Sequence, residues 1–137
     1  MSDDKNKYES KRWLKQAESE LLAAKASVNN YAFNACFLSQ QSAEKALKSY
    51  LYLKGERGIL SHSNLSLIKK CAEIDKAFEI LKRNAKELDS YYLSTRYPDS
   101  LPDGVPCEVY EKEDAVSAVS AAEKIIYFVK EKIKQKN

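Results

Sequence analysis

The chain has 137 residues, which suits one domain around one core, and its 44% hydrophobic and 31% charged residues exclude a largely disordered protein. Glycine and proline number three each, too few for a sheet protein or a glycine-rich ligand loop, so composition points to helices. A net charge of +3 is too mild to argue nucleic-acid binding by itself; there is no apolar membrane span and no apolar signal core, which predicts a cytoplasmic protein away from membranes.

Residues 1–7 are expected to fray. A first helix is predicted from Tyr8 to Val28, with Trp13, Ala17, Leu21, Ala24 and Val28 as its apolar stripe and Asn29-Asn30 ending it. The second helix, Tyr31–Lys54, contains no glycine or proline. Its apolar positions Phe33, Cys36, Phe37, Ala43, Leu47, Tyr50 and Leu51 recur at steps of three and four, and beside them runs a polar row, Gln41, Glu44, Lys45 and Lys48. The short connection makes these two helices antiparallel neighbours.

Gly55 and Gly58 mark a loop that leads to Ser61-His62-Ser63-Asn64. Ser63 or Asn64 can cap a short third helix with Leu65, Ile68 and Ala72 on its inner face. Asp75 can cap a fourth, Lys76 to about Thr95, with the stripe Ala77, Leu81, Ala85, Leu88 and Tyr92. All three prolines and the last glycine then fall between Pro98 and Pro106, the longest irregular segment. The last helix starts near Glu111–Asp114, and Ala115, Val119, Ala122, Ile126, Val129 and Ile133 form an a/d seam for a bundle neighbour or a second copy. Residues 135–137 are expected to fray. The fold class is therefore all-α: an up-and-down bundle of four long helices plus one short one, a single domain over residues 1–137.

Cys36, Cys71 and Cys107 are odd in number and widely spaced, without a C-x-x-C, so neither a disulfide framework nor a metal site is expected. There is no phosphate-cradling glycine motif and no E-x-x-H, and no cofactor is implied.

Three groups of residues bear chemistry. Asp89, Tyr92 and Arg96 share one helix face, with Tyr97 beside them. Arg96 either caps its own helix and pairs with Asp89, or offers a guanidinium flanked by aromatic rings to a phosphate or base. His62 is the only histidine, and any acid–base chemistry near neutrality needs it or a shifted carboxylate. The row Gln41, Glu44, Lys45, Lys48 is either a salt-bridged helix flank or the polar wall of a cleft.

Together these stretches resemble the HEPN family of small helical bundles: Trp13 followed by Ala17 and Leu21, the run Cys36–Gly55, the loop His62 before a leucine-bearing helix, and LDSYYLSTRYPD, Leu88–Asp99. The resemblance implies a bundle of four main helices and a shorter one, usually homodimeric. It also implies a nucleotide or RNA ligand, a small nucleotidyltransferase as partner, and toxin–antitoxin context. Some members are metal-independent RNases that use R-x(4–6)-H, where the His moves a proton and the Arg stabilises phosphate charge.

The chain departs from that motif. No histidine follows Arg96 in the window, and the one match, Arg57 to His62, lies in the loop before the third helix. The expected function is a non-catalytic nucleotide- or nucleic-acid-binding module, with Arg96, Tyr97, Tyr92, Asp89, His62, Lys48, Glu44 and Gln41 as ligand-binding residues. One alternative is an RNase toxin with His62 and Arg96 (or Arg57) as catalytic pair. The other is a purely structural adaptor using the last-helix seam.

Overall fold

A computed structural model describes residues 3–135, and every regular element in that span is helical. The helices are α1 (Asp3–Ser27), α2 (Ala32–Leu53), α3 (Asn64–Ile74), α4 (Lys82–Asp89), α5 (Pro106–Val109) and α6 (Lys112–Lys134). Short 3-10 turns cover Lys76–Leu81 and Pro98–Ser100. The all-α bundle expected from composition is found, and none of the helices is long and apolar enough among the described residues to cross a membrane.

The second helix forms the axis of the molecule. It packs on α1, α3, α4, α5 and α6, and its buried residues from Ala35 to Tyr52 fall on every side rather than along a single stripe. Small residues at Ala35, Ser39, Ser42, Ala43, Ala46 and Ser49 let the neighbouring helices approach closely. Its Leu47 and Leu51 join Leu67, Ile68, Phe78, Leu88, Ile125 and Val129 in one continuous core. The Phe78 ring packs on Tyr50 and Phe128, with ring centres 4.6 and 5.0 Å away. The α6 seam is used inside the chain: Ala115, Val119, Ala122, Ile126 and Val129 are all buried, and α6 lies against α2.

The ends of the elements follow from side-chain chemistry. Ser63 caps α3, its hydroxyl accepting from Ser66 N at 3.1 Å. A capping box joins Glu111 and Asp114 at the start of α6, with Glu111 N donating to Asp114 Oδ2 at 2.9 Å.

Two expectations need correction. The first helix begins at Asp3 rather than Tyr8, so residues 3–7, expected to fray, are helical; Asp3 and Asp4 in the first turn favour the positive end of the helix dipole. Residues 1, 2, 136 and 137 lie outside the described residues, and Gln135 follows the end of α6. The fourth helix is not one rod from Lys76 to Thr95. It starts as a 3-10 turn, is α-helical only over Lys82–Asp89, and continues as tight turns to Arg96.

Hydroxyls explain the second break. Ser90, Ser94 and Thr95 donate to the carbonyls of Glu87, Ser90 and Tyr91 at 2.6, 2.7 and 2.6 Å, competing with the helical ladder. The backbone tightens accordingly: Tyr91 N, Tyr92 N and Arg96 N reach the carbonyls three residues back. Inside the segment expected to be irregular, Pro106 opens the one-turn α5, a position where a missing N–H costs nothing. Gly104 holds φ +75°, and a Cβ there would sit 2.9 Å from Val109 Cγ2, so this turn requires glycine.

Asp75 joins α6 to the start of the 3-10 turn. Its carboxylate receives Lys132 Nζ at 2.7 Å and Ala77 N at 3.0 Å, and these two bonds, Lys132 first, hold its pKa below the ordinary value. A depressed carboxylate stabilises the fold above its unfolded pKa of about 3.9, and that contribution disappears as pH falls through the lower folded value. The stability gap between wild type and Asp75→Asn is therefore expected to narrow in urea titrations as pH drops below about 4. A gap that stayed constant with pH would contradict this assignment.

Candidate functional site

The turns after α4 place Tyr92, Arg96 and Tyr97 on one surface, facing the N-terminal half of α2. The Arg96 guanidinium lies 4.7 Å from the ring centres of Phe37 and Tyr92 and 5.0 Å from that of Tyr97. Its Nε donates to Tyr92 O at 3.0 Å, and it forms no ion pair among the described residues. The capping expectation holds in part, because Arg96 does bond to its own turn, but Asp89 is not its partner. Three flat π faces around an unneutralised cation leave the remaining N–H donors for an acceptor from outside.

Asp89 is occupied elsewhere. It accepts from Ser63 Oγ at 2.8 Å, Asn64 N at 2.6 Å and Leu65 N at 3.0 Å, closing the N-terminus of α3. It thereby fixes the loop that carries His62.

That loop brings His62 to the same surface. The imidazole stacks on Tyr92, with ring centres 5.3 Å apart and planes inclined by 15°. One tyrosine ring thus has the imidazole and the guanidinium packed against it. Gln40 Nε2 holds the His62 carbonyl at 2.9 Å, and His62 Nδ1 lies 3.3 Å from Glu44 Oε2. A carboxylate can only accept, so Nδ1 is the donor in this contact, and in the neutral imidazole Nε2 keeps its lone pair.

Glu44 and Lys48 are not a surface wall. They are 3% and 4% exposed, joined by a 3.0 Å bond from Lys48 Nζ to Glu44 Oε2, and the ammonium sits 5.7 Å from the centre of the Trp13 ring. Gln41 turns the other way: it donates to Gln40 Oε1 at 2.7 Å and receives Lys45 Nζ at 3.1 Å, and Lys45 pairs with Glu20 of α1 at 3.0 Å. The polar row of α2 is therefore an internal network running from α1 to the His62 loop. Of the residues expected to bind ligand, Arg96, Tyr92, Tyr97 and His62 come together. Glu44 stands behind His62, while Lys48, Gln41 and Asp89 are engaged within the fold.

Arg57, the other arginine considered, stacks on Tyr52 at 5.3 Å and bonds to Tyr52 O and Asn6 Oδ1, which ties the loop to α1. Sequence reasoning missed Phe37 and Gln40 as parts of the site. Phe37 falls in the apolar stripe and so reads as core, although it stands four residues after Phe33 at the end of α2 nearest the proline-rich segment; an aromatic i,i+4 pair there is the available signal.

Two cavities bear on where a ligand could sit, and one of them adjoins these groups. One of about 390 Å³ is lined by Arg96 with Phe33, Asn34, Phe37, Pro98 and Pro106 among others. A larger one of about 920 Å³ lies between α1, the 3-10 turn and α6, lined by Leu21, Leu22, Ile80, Phe128 and Tyr127. The larger cavity contains none of the expected site residues; at its edge Lys130 pairs with Glu18 and Glu123 with Lys25, while Lys124 forms no ion pair among the described residues. Size alone therefore does not mark the site; the smaller cavity is the one that contains Arg96 and Phe37, the cation and ring already in contact. No cluster of three or more His, Cys, Asp or Glu able to hold a metal ion occurs among the described residues.

Residues 10–132 match the HEPN domain family. The chain belongs to the HEPN family. Among solved structures, this HEPN chain is similar to TT1696 from Thermus thermophilus, at 40% identity and TM-score 0.83 over 90% of this chain and 97% of that one. It is also similar to ST0689, an archaeal HEPN homologue, at 36% identity and TM-score 0.76 over 91% and 98% of the two chains. A curated relative, "Putative toxin MJ1304" of Methanocaldococcus jannaschii, is 30% identical over 92% of this chain and 89% of its own length.

Proposed function

We propose that this HEPN chain is a non-catalytic nucleotide- or nucleic-acid-binding module that works as a homodimer and as the accessory partner of a small nucleotidyltransferase. The observation that carries the binding role is the Arg96 guanidinium among Phe37, Tyr92 and Tyr97 without a carboxylate partner. A cation so placed suits a phosphate through its donors, and the rings around it suit a base through their faces. The homodimer and the nucleotidyltransferase rest on family membership alone.

A second reading, a metal-independent RNase toxin, draws on the His62–Glu44 pair and on the toxin name of the archaeal relative. There Nε2 of His62 would take the proton from the attacking 2′-hydroxyl and Arg96 would stabilise charge on the phosphate.

Calorimetric titration of the wild-type protein with AMP and with short single-stranded RNA separates the two readings. The binding module is expected to bind in a salt-sensitive manner and to return the RNA intact. Cleaved RNA, with cleavage lost in His62→Ala, would favour the toxin instead. An inability to bind either ligand would overturn the proposal.

A further inference from the structure

We propose that the 390 Å³ cavity beside Arg96 is a nucleobase subsite, so that the ligand of this surface is a nucleotide with its phosphate on Arg96 and its base between α2 and the proline-rich segment. The inference rests on the binding role proposed above and adds where the base goes.

The cavity has the volume of a small-ligand pocket. Phe33 and Phe37, one helical turn apart on α2, supply aromatic faces, and Pro98 and Pro106 supply flat apolar ones. Such walls accept a planar ring of any sequence, because every base offers a π face. Arg96 is the sole charged side chain lining the cavity. A purely apolar guest would bury next to that guanidinium without using it, and a bare anion would use the guanidinium and leave the apolar walls wet. A nucleotide satisfies both parts at once.

The polar groups agree. Thr95 is spent, its hydroxyl donating to Tyr91 O at 2.6 Å. Asn34 Nδ2 donates to Ser27 Oγ at 3.3 Å, which leaves Oδ1 as an acceptor for the exocyclic amine of adenine or cytosine. The proline-rich segment, folded into two short turns, forms the wall opposite α2.

The exposed thiol of Cys107 lines the same cavity and makes the test direct. Cys36 and Cys71 are buried, and burial pushes both thiols up to about 12, so a maleimide at neutral pH is expected to label Cys107 alone. The experiment measures three quantities on the full chain: affinity for AMP, affinity for ribose 5-phosphate, and the rate of Cys107 alkylation with each. AMP is expected to bind at least about tenfold more tightly than ribose 5-phosphate and to slow alkylation several-fold. Phe33→Ala, checked for folding by circular dichroism, is expected to erase the preference for AMP while keeping ribose 5-phosphate binding. If AMP binds through Arg96 but no better than ribose 5-phosphate, and Cys107 reacts at an unchanged rate, the subsite is wrong and the role of Arg96 stands. If neither compound binds, both fail.

Discussion

Glu44→Ala is expected to destabilise the protein by about 3–5 kcal/mol, the usual cost of breaking a buried ion pair from one side. Glu44 and Lys48 are both almost fully enclosed, and Glu44 Oε2 receives Lys48 Nζ at 3.0 Å and His62 Nδ1 at 3.3 Å. Removing the carboxylate leaves an ammonium with little but the Trp13 ring to face it, 5.7 Å from the ring centre. A cation–π contact is worth only ~0.5–2 kcal/mol, too little to replace a paired charge. The double variant Glu44→Gln/Lys48→Met keeps the volumes and removes both charges, so it is expected to lie within ~1 kcal/mol of wild type. Urea midpoints read both. Equal destabilisation by the single and double variants would mean that packing, not charge, holds this part of α2.

The second large effect is on binding. Arg96→Ala is expected to weaken AMP and short-RNA binding by about 2 kcal/mol or more, roughly thirtyfold, the cost of a central arginine anchor. Arg96→Lys is expected to recover only part of this. A lysine keeps the charge but not the planar fork that stacks on Phe37, Tyr92 and Tyr97 while presenting N–H groups to a phosphate. Neither change should alter folding noticeably, because Arg96 is exposed and its one internal bond is to the adjacent turn. Full recovery by lysine would reduce the role of Arg96 to long-range charge.

The helical periodicity of the chain is a reliable guide where packing alone decides. α2, the start of α6 and the cap at Ser63 lie within a residue or two of where the sequence puts them. It fails where side-chain hydroxyls compete with the backbone, since Ser90, Ser94 and Thr95 fall inside the helix predicted from Lys76 to about Thr95 yet bond to its carbonyls where it unwinds. The same unwinding turns Tyr92 and Arg96 toward Phe37, so the missed break shapes the candidate site. The polar row of α2 misleads for a different reason. Sequence spacing gives the side of a helix but not what covers it, and here Trp13 of α1 and the His62 loop cover Lys48 and Glu44. Asp89 shares a face with Arg96 in an ideal helix, but the backbone donors of α3 hold its carboxylate more strongly than a surface guanidinium could.

Arg96 and its aromatic neighbours must be the surface that meets a nucleotide if the proposed function is right. Side-chain and backbone NMR spectra of the labelled protein, recorded as AMP is added, test this directly. The shifts are predicted to concentrate at Phe37, Tyr92, Arg96, Tyr97 and His62 and to leave Leu22, Ile80 and Tyr127 of the larger cavity unmoved. Shifts confined to that larger cavity, with the Arg96 group unchanged, would contradict it.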